Sequence, residues 1–361
     1  MSNKQPLVGN IVISSQIEKM RLLPMNILKN SLSKASVGLI MLASAGIAVG
    51  ETKSLCVFDM LGSNGPFFAE MKDYKVAALA WGVEFTLKPY TSERVAAEDL
   101  KAGICDAVIF TGIRARQFNA FTGSLDAIGS IQNYGLLKSA IGTISSKKAG
   151  KLMFNDPYEV AGIFPAGAAY MFVRDRTVDT VGELAGKRIA ILDSDSAQTE
   201  MVTFVGASPV GATVASMYSK FNNGSVDVTY GPAIMYEAME LYKGLEPNGG
   251  VIQFSLAQLT FQIVIHKAKF PENFGQNSRD FALTRFDRLV EVIGSSERKI
   301  PQKFWVKIPE NDKAKYNEAF RQARIRLREK GIYNGKMLTI MRRLRCREKP
   351  QLPECTAADK E

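Results

Sequence analysis

Histidine is almost missing from this chain: His266 stands alone among 361 residues. The four cysteines, Cys56, Cys105, Cys346 and Cys355, include no C-x-x-C pair. Zinc sites and His-based nucleophilic triads therefore lack their raw material. Walker A, G-x-G-x-x-G, G-x-S-x-G and H-E-x-x-H patterns are missing as well. Asp193 and Asp195 pair two carboxylates, but at a loop–helix junction, where they serve better as caps than as an acid and a base. No enzyme, metal or cofactor is expected. Long apolar runs are also lacking. The run 37–49 falls short of the roughly 20 residues a membrane helix needs.

Basic residues are in excess, with a net charge of +10, but they are unevenly spread. Residues 312–349 hold thirteen Lys/Arg against four Asp/Glu, and residues 1–50 hold five against one. What remains is slightly acidic, which argues against nucleic acid as a partner. The amphipathic helices expected at 312–330 and 336–347 carry most of the positive charge. Solvated basic faces are the plain reading, and weak contact with an anionic surface is the sharper one.

Residues 1–50 read as an N-terminal extension and signal peptide. The apolar run follows Lys29 and Lys34 and ends in small residues, so cleavage is expected near Gly50. An uncleaved anchor is the alternative. Residues 1–24 fit neither picture, and Met25 would start a signal of normal proportions.

The most informative stretch is 181–244, which alternates strand, helix, strand, helix, strand, helix. Residues 188–192 are an apolar run of strand length, followed by Asp195 and Gln198 at capping-box spacing. Residues 209–212 form a second strand, and Thr213 caps a helix carrying Met217, Tyr218 and Phe221. Residues 226–230 form the third strand, with Gly231-Pro232 expected to open the next helix. Such alternation implies an α/β fold with a parallel sheet, whose ligands sit at the carboxyl ends of the strands. Cys56 and Cys105 flank strands that a doubly wound sheet would make neighbours, and Cys346 and Cys355 would close a short loop. Two disulfides in those pairs, or four buried thiols, are both open.

The segments ELAGKRIAI, GASPV and FNNGSVDV, with GPA after them, resemble the second lobe of a periplasmic solute-binding protein. They are similar to the DctP-type receptors of tripartite ATP-independent periplasmic (TRAP) transporters and, within that group, to the AdeT-type solute-binding proteins. The opening pattern, with strands over 54–61, 83–87 and 104–111, is similar to the first lobe of the same receptors. The resemblance implies a two-lobed, type II-like binding fold, each lobe a doubly wound sheet, joined by crossover strands at 160–173 and 251–266. It places the first lobe at 51–165, the second at 166–254, and completion of the first lobe with the basic helices at 255–361. The implied function is a periplasmic receptor that captures a small anionic or polar organic solute and delivers it to integral-membrane transporter subunits. The alternative is a periplasmic accessory component of an efflux or envelope system.

In such a fold, contacts to the solute come from both lobes. Asn64, Gly65, Phe67, Thr111 and Arg114 would face Ser194, Ser196, Thr213, Tyr230 and Tyr236. Phe172 and Arg174 would reach in from the first crossover. Arg114 or Arg174 would fork onto an anionic or carbonyl group. One departure stands out: DctP-type receptors carry a carboxylate-binding arginine two residues after the position of Arg188, and this chain has Ala190 there.

Overall fold

The computed structural model describes residues 51–359 and 361; the signal peptide, its cleavage near Gly50 and a start at Met25 lie outside the described residues. In the first lobe, β1 (Glu51–Phe58) pairs in parallel with β2 (Val83–Tyr90) on one side and β3 (Ala107–Thr111) on the other. β4 (Phe154–Asn155) is a short antiparallel partner of β5 (Tyr158–Val173). In the second lobe, β6 (Arg188–Leu192) lies between β7 (Ser208–Ala212) and β8 (Val228–Pro232), parallel to both. β9 (Gly250–Ile252) pairs with the end of β5, and β10 (Ala257–His266) lies antiparallel between β3 and β5. β11 (Trp305–Val306) pairs with β9. The path β2-β1-β3-β10-β5-β8-β6-β7 is thus continuous from one lobe to the other.

β5 is what makes it continuous. Residues 158–169 pair with β10, and residues 169–173 pair with β8. All of its sixteen residues except Tyr158 and Tyr170 are buried, which explains why the sequence from 160 to 173 carries no charge. Pro165 and Gly167 flank a register shift in the β10 pairing shortly before β8 takes over at Ala169, and Gly167 has φ +108°, a conformation that only glycine adopts readily.

Alternation along β6 sets up the second lobe's two faces. Ala190 and Leu192 join Phe172, Met217, Tyr218 and Phe221 on one face, while Ile189 and Ile191 join Met171, Val202, Tyr316 and Phe320 on the other. Gly231 and Pro232 do not open a helix as the sequence suggested. They continue β8, paired with Tyr170 and Ala169, because the Tyr218 ring lies over Gly231 where a Cβ would collide with it.

The structure distributes residues 255–361 over both lobes. Ile300, Phe304, Val306 and Ile308 are buried in the second lobe's cores, and the helix Glu310–Glu329 bridges the two lobes. Its apolar positions Tyr316, Phe320, Ala323 and Leu327 follow helical spacing, with Tyr316 and Phe320 against the second lobe and Leu327 against the first. The basic faces are not simply solvated. Arg324 and Arg345 are each 2% exposed. Arg345 forks onto Glu354 at 2.6 and 2.7 Å and reaches Glu361 at 2.9 Å, while Arg324 pairs with the same Glu361. Both also bind backbone carbonyls of the loop at 128–130. Among the described residues no helix is long and apolar enough to cross a membrane.

Both disulfides form, Cys56–Cys105 and Cys346–Cys355. The first closes a separation of 49 residues and ties β1 to the approach to β3; the second closes one of 9 and ties the segment bearing Glu354 to the helix Gly335–Glu348. Constraint of the unfolded chain grows with loop length. Replacing Cys56 and Cys105 together by Ala should lower stability by roughly 2–4 kcal/mol, and replacing Cys346 and Cys355 by less. Urea denaturation of the two double variants checks the order.

Candidate functional site

The carboxyl ends of β1, β3, β6 and β8 converge between the lobes. β1 leads into Asp59, a buried carboxylate that accepts from Leu61 N at 3.0 Å, Phe67 N at 3.0 Å and Phe68 N at 3.2 Å. It therefore closes the amino end of the helix Pro66–Leu79. Gly65 makes this possible, since a Cβ there would overlap the Asp59 carboxylate. Burial pushes the Asp59 pKa up, against the three backbone donors that pull it down.

Beyond Asp59 lies a cavity of about 100 Å³, walled by Phe58, Phe67 and Phe261 from the first lobe and Leu192, Met217 and Tyr218 from the second. Phe67 and Phe261 are in ring contact, with centroids 3.9 Å apart. A second cavity of about 120 Å³ lies on the other face of the second-lobe sheet, beneath Tyr316 and Phe320. Ile113, Tyr230 and Leu259 line both and form the partition between them. Tyr230 is fixed in place by its hydroxyl, which donates to Gln198 Oε1; the same oxygen accepts from Leu192 N at 2.7 Å.

A third, more polar cavity of about 260 Å³ is lined by two arginines on the turn after β3, together with Ser194 and Ser196. Arg114 Nη2 donates to Ser194 Oγ at 2.8 Å, and its Nε lies 3.5 Å from Glu93 Oε1. Glu93 also accepts from Thr111 Oγ1 at 2.7 Å, and burial pushes its pKa up despite Arg114. Arg116 Nη1 donates to Asp195 Oδ1 at 2.9 Å, its Nε to the Gly123 carbonyl at 3.2 Å, and its guanidinium lies over the Tyr333 ring. Asp195 in turn caps the helix Ser196–Phe204 through Ala197 N. Both arginines cross from the first lobe to the second, Arg114 from within the one-turn helix Gly112–Ala115 and Arg116 from its carboxyl end.

Behind Arg116 is Asp126, fully enclosed, which accepts from Thr260 N at 3.0 Å and Thr260 Oγ1 at 2.6 Å. Burial pushes its pKa up to about 7, opposed by the Thr260 hydrogen bonds and by Arg116. Gly112 allows this approach, since a Cβ there would run into both Thr260 and Asp126.

Of the residues expected from the sequence, Phe67, Thr111 and Tyr230 line the apolar cavity, and Arg114, Ser194 and Ser196 line the polar one. The others lie elsewhere for identifiable reasons. Asn64 is exposed on the turn Gly62–Asn64, and Gly65 serves Asp59. Phe172 points into the second lobe's core, and Tyr236 stacks there between Phe304 and Tyr242. Arg174 does not reach the cleft: its Nη1 donates to the Phe221 carbonyl at 2.7 Å, at the end of the helix Val214–Asn222. Thr213 is spent in a capping box with Ser216 at the start of that helix. Ala190, at the position of the expected arginine, is fully buried on the apolar face that also holds Leu192. Sequence reasoning passed over Asp59, Arg116, Asp126, Met217 and Tyr218. The last two sat in plain view on an amphipathic helix, but one helical stripe serves core and cavity alike.

Arg116→Ala strands the buried Asp195 carboxylate and removes the bond between lobes. Stability should fall by about 3 kcal/mol, and the radius of gyration in small-angle scattering should rise. Asp126 gives a pH signature. Its folded pKa of about 7 exceeds the ordinary 3.8, so the folded protein retains a proton that the unfolded chain has lost. Its stabilising contribution is full below about pH 4, declines as pH rises to about 7, and is level above. Asp126→Asn can keep both contacts to Thr260 without titrating. Wild type should lose stability relative to the variant between pH 4 and 7 and hold a constant offset above; urea midpoints across that range measure it.

Comparison with known proteins gives this geometry a context. The chain matches the family described as "Solute-binding protein AdeT 1/2" over residues 75–360. It is 42% identical over 303 residues to "Probable solute-binding protein AdeT1" of Acinetobacter baumannii, covering 84% of this chain and all of that one. To "Probable solute-binding protein AdeT2" of the same organism it is 28% identical over 64% of its length, covering 98% of that protein. Among solved structures, a TRAP periplasmic solute-binding protein of Haemophilus influenzae with bound L-gulonate aligns with a TM-score of 0.68 at 12% identity, covering 81% of this chain and 99% of that one. One from Sulfitobacter with bound β-D-galacturonate aligns at 0.65 with 16% identity, covering 81% and 99%. These structures share the two-lobed fold, and both the family and the fold are those of solute-binding receptors rather than enzymes. The chain belongs to the AdeT family of solute-binding proteins.

Proposed function

We propose that this protein is the periplasmic receptor of a membrane transporter, exported by its N-terminal signal, and that the cavity between Phe67 and Met217 is its solute site. The observation that carries the reading is the position of that cavity. It lies at the carboxyl ends of β1, β3, β6 and β8 and receives walls from both lobes, which Arg114 and Arg116 bridge beside it. Solute-binding proteins of this kind bind small solutes and work with membrane transporters, and these features supply what such work needs. A solute touching both lobes favours the closed arrangement by its differential affinity for it. Arg114 and Arg116 are then closure contacts, made between lobes. In this reading the first lobe comprises 51–165 and much of the C-terminal region, and the second comprises 166–254 with the segment around β11. The exposed basic residues of the last two helices remain candidates for weak contact with an anionic surface, although Arg324 and Arg345 are internally paired.

The exported protein should gain thermal stability with one class of small organic solute, and its radius of gyration in scattering should fall as that solute is added. A solute that stabilises without any change in scattering would refute closure. Failure of every solute class, together with a copurifying membrane protein, would favour an accessory role in the envelope.

A further inference from the structure

The cleft is built from charged residues at its edges and apolar ones inside, and Asp59 is the one charged side chain among those that line the apolar cavity. Arg114 is shared between Ser194 and Glu93, and Arg116 between Asp195 and the Gly123 carbonyl. Three helix amino ends face the cleft region, and each has its own side-chain cap: Asp59 for Pro66–Leu79, Asp195 for Ser196–Phe204, and Thr213 with Ser216 for Val214–Asn222. A carboxylate entering the cavity would find no guanidinium or ammonium group among the side chains that line it. It would instead approach the carboxylate of Asp59. Burying an ion without a partner is strongly unfavourable.

What the cavity offers is surface for an apolar ring. Phe67 and Phe261 present aromatic faces, and Met60, Met217 and Met235 supply adaptable, polarisable walls suited to contact with an aromatic ring. At about 100 Å³ the space is smaller than the apolar cavity of roughly 150 Å³ that accommodates benzene, so one small ring is the most it takes, and the lobes must part slightly to admit it. The Tyr218 hydroxyl is the polar exception. It borders the cavity above Gly231, and it has no hydrogen-bond partner among the described residues. A hydroxyl or carbonyl on the solute would complete it.

We infer that the solute selected by this receptor is an uncharged, aromatic small molecule bearing at most one hydroxyl or carbonyl group, held between Phe67 and Phe261 on one lobe and Met217 and Tyr218 on the other. The inference rests on the receptor reading above and specifies its ligand. Titration calorimetry of the exported protein tests it with matched pairs: p-cresol against p-hydroxybenzoate, and benzyl alcohol against benzoate, with D-glucuronate as a polar acid. The neutral member of each pair should bind at least tenfold more tightly than its acid, and glucuronate should not bind. Phe67→Trp places a fluorophore in the wall, and p-cresol should change its emission, locating the bound ring. Tyr218→Phe should weaken p-cresol about fivefold and leave toluene unchanged. Tighter binding of benzoate, p-hydroxybenzoate or glucuronate overturns the solute class while leaving the receptor reading intact. Binding of none of these probes overturns the class as well, and the broader solute screen then decides the receptor reading by itself. Equal losses for p-cresol and toluene on Tyr218→Phe overturn the role of the hydroxyl.

Discussion

One strand carries the mechanical logic of this molecule. β5 donates and accepts backbone hydrogen bonds with β10 over its first two thirds and with β8 over its last residues. Neither lobe's sheet is complete without it. Because a sheet ladder tolerates twist far better than loss of pairing, relative motion of the lobes must concentrate where β5 changes partners. That place is Ala169, just beyond Pro165, which lacks an N–H, and Gly167, which takes a left-handed φ. The two residues that interrupt the apolar run are thus placed where a change of direction costs least.

The electrostatic arrangement follows from how little room the lobes leave at their junction. Charges brought there must find partners, and the chain supplies them locally: Arg116 with Asp195, Arg114 with Glu93, and Asp59 with three backbone N–H groups. Each pairing closes part of the cleft edge and leaves the interior to Phe, Met and Leu. Asp126 is the partial exception. It lies deep behind Arg116 with Thr260 as its direct donor, which is why burial dominates its titration. No cation lines the apolar cavity itself; Arg114 and Arg116 join the lobes beside it.

Much of the fold was legible in the sequence because it rests on local signals. The strands at 188–192 and 209–212, the caps at Asp195 and Thr213, and both disulfide pairs come from periodicity, capping chemistry and spacing, and the structure contains them all. The site was harder to read because its residues are defined by what they face. Arg174 and Arg114 look alike in sequence, yet one ends on a helix carbonyl and the other crosses to the opposite lobe. Phe172 and Phe67 are both apolar aromatics near the junction, and strand alternation alone sends Phe172 into the core. The extension of β8 through Gly231 and Pro232 depends on the Tyr218 ring filling the space above the glycine, a long-range contact that no local pattern encodes.

The C-terminal region adds a constraint on how the lobes can close. The helix Glu310–Glu329 is anchored to the first lobe by Leu327 and by the buried Arg324, and to the second by Tyr316 and Phe320. Such a strut resists separation of the lobes along its own axis, so motion of the second lobe is guided around it. The cavity of about 120 Å³ beneath Tyr316 and Phe320 lies against that strut and shares Ile113, Tyr230 and Leu259 with the solute cleft. Side chains bordering a void forgo contacts on that side, so they can shift toward it without breaking a close-packed arrangement. Tyr230, held by Gln198 Oε1, thus divides the space at the junction into two cavities, one against the strut and one at the strand ends.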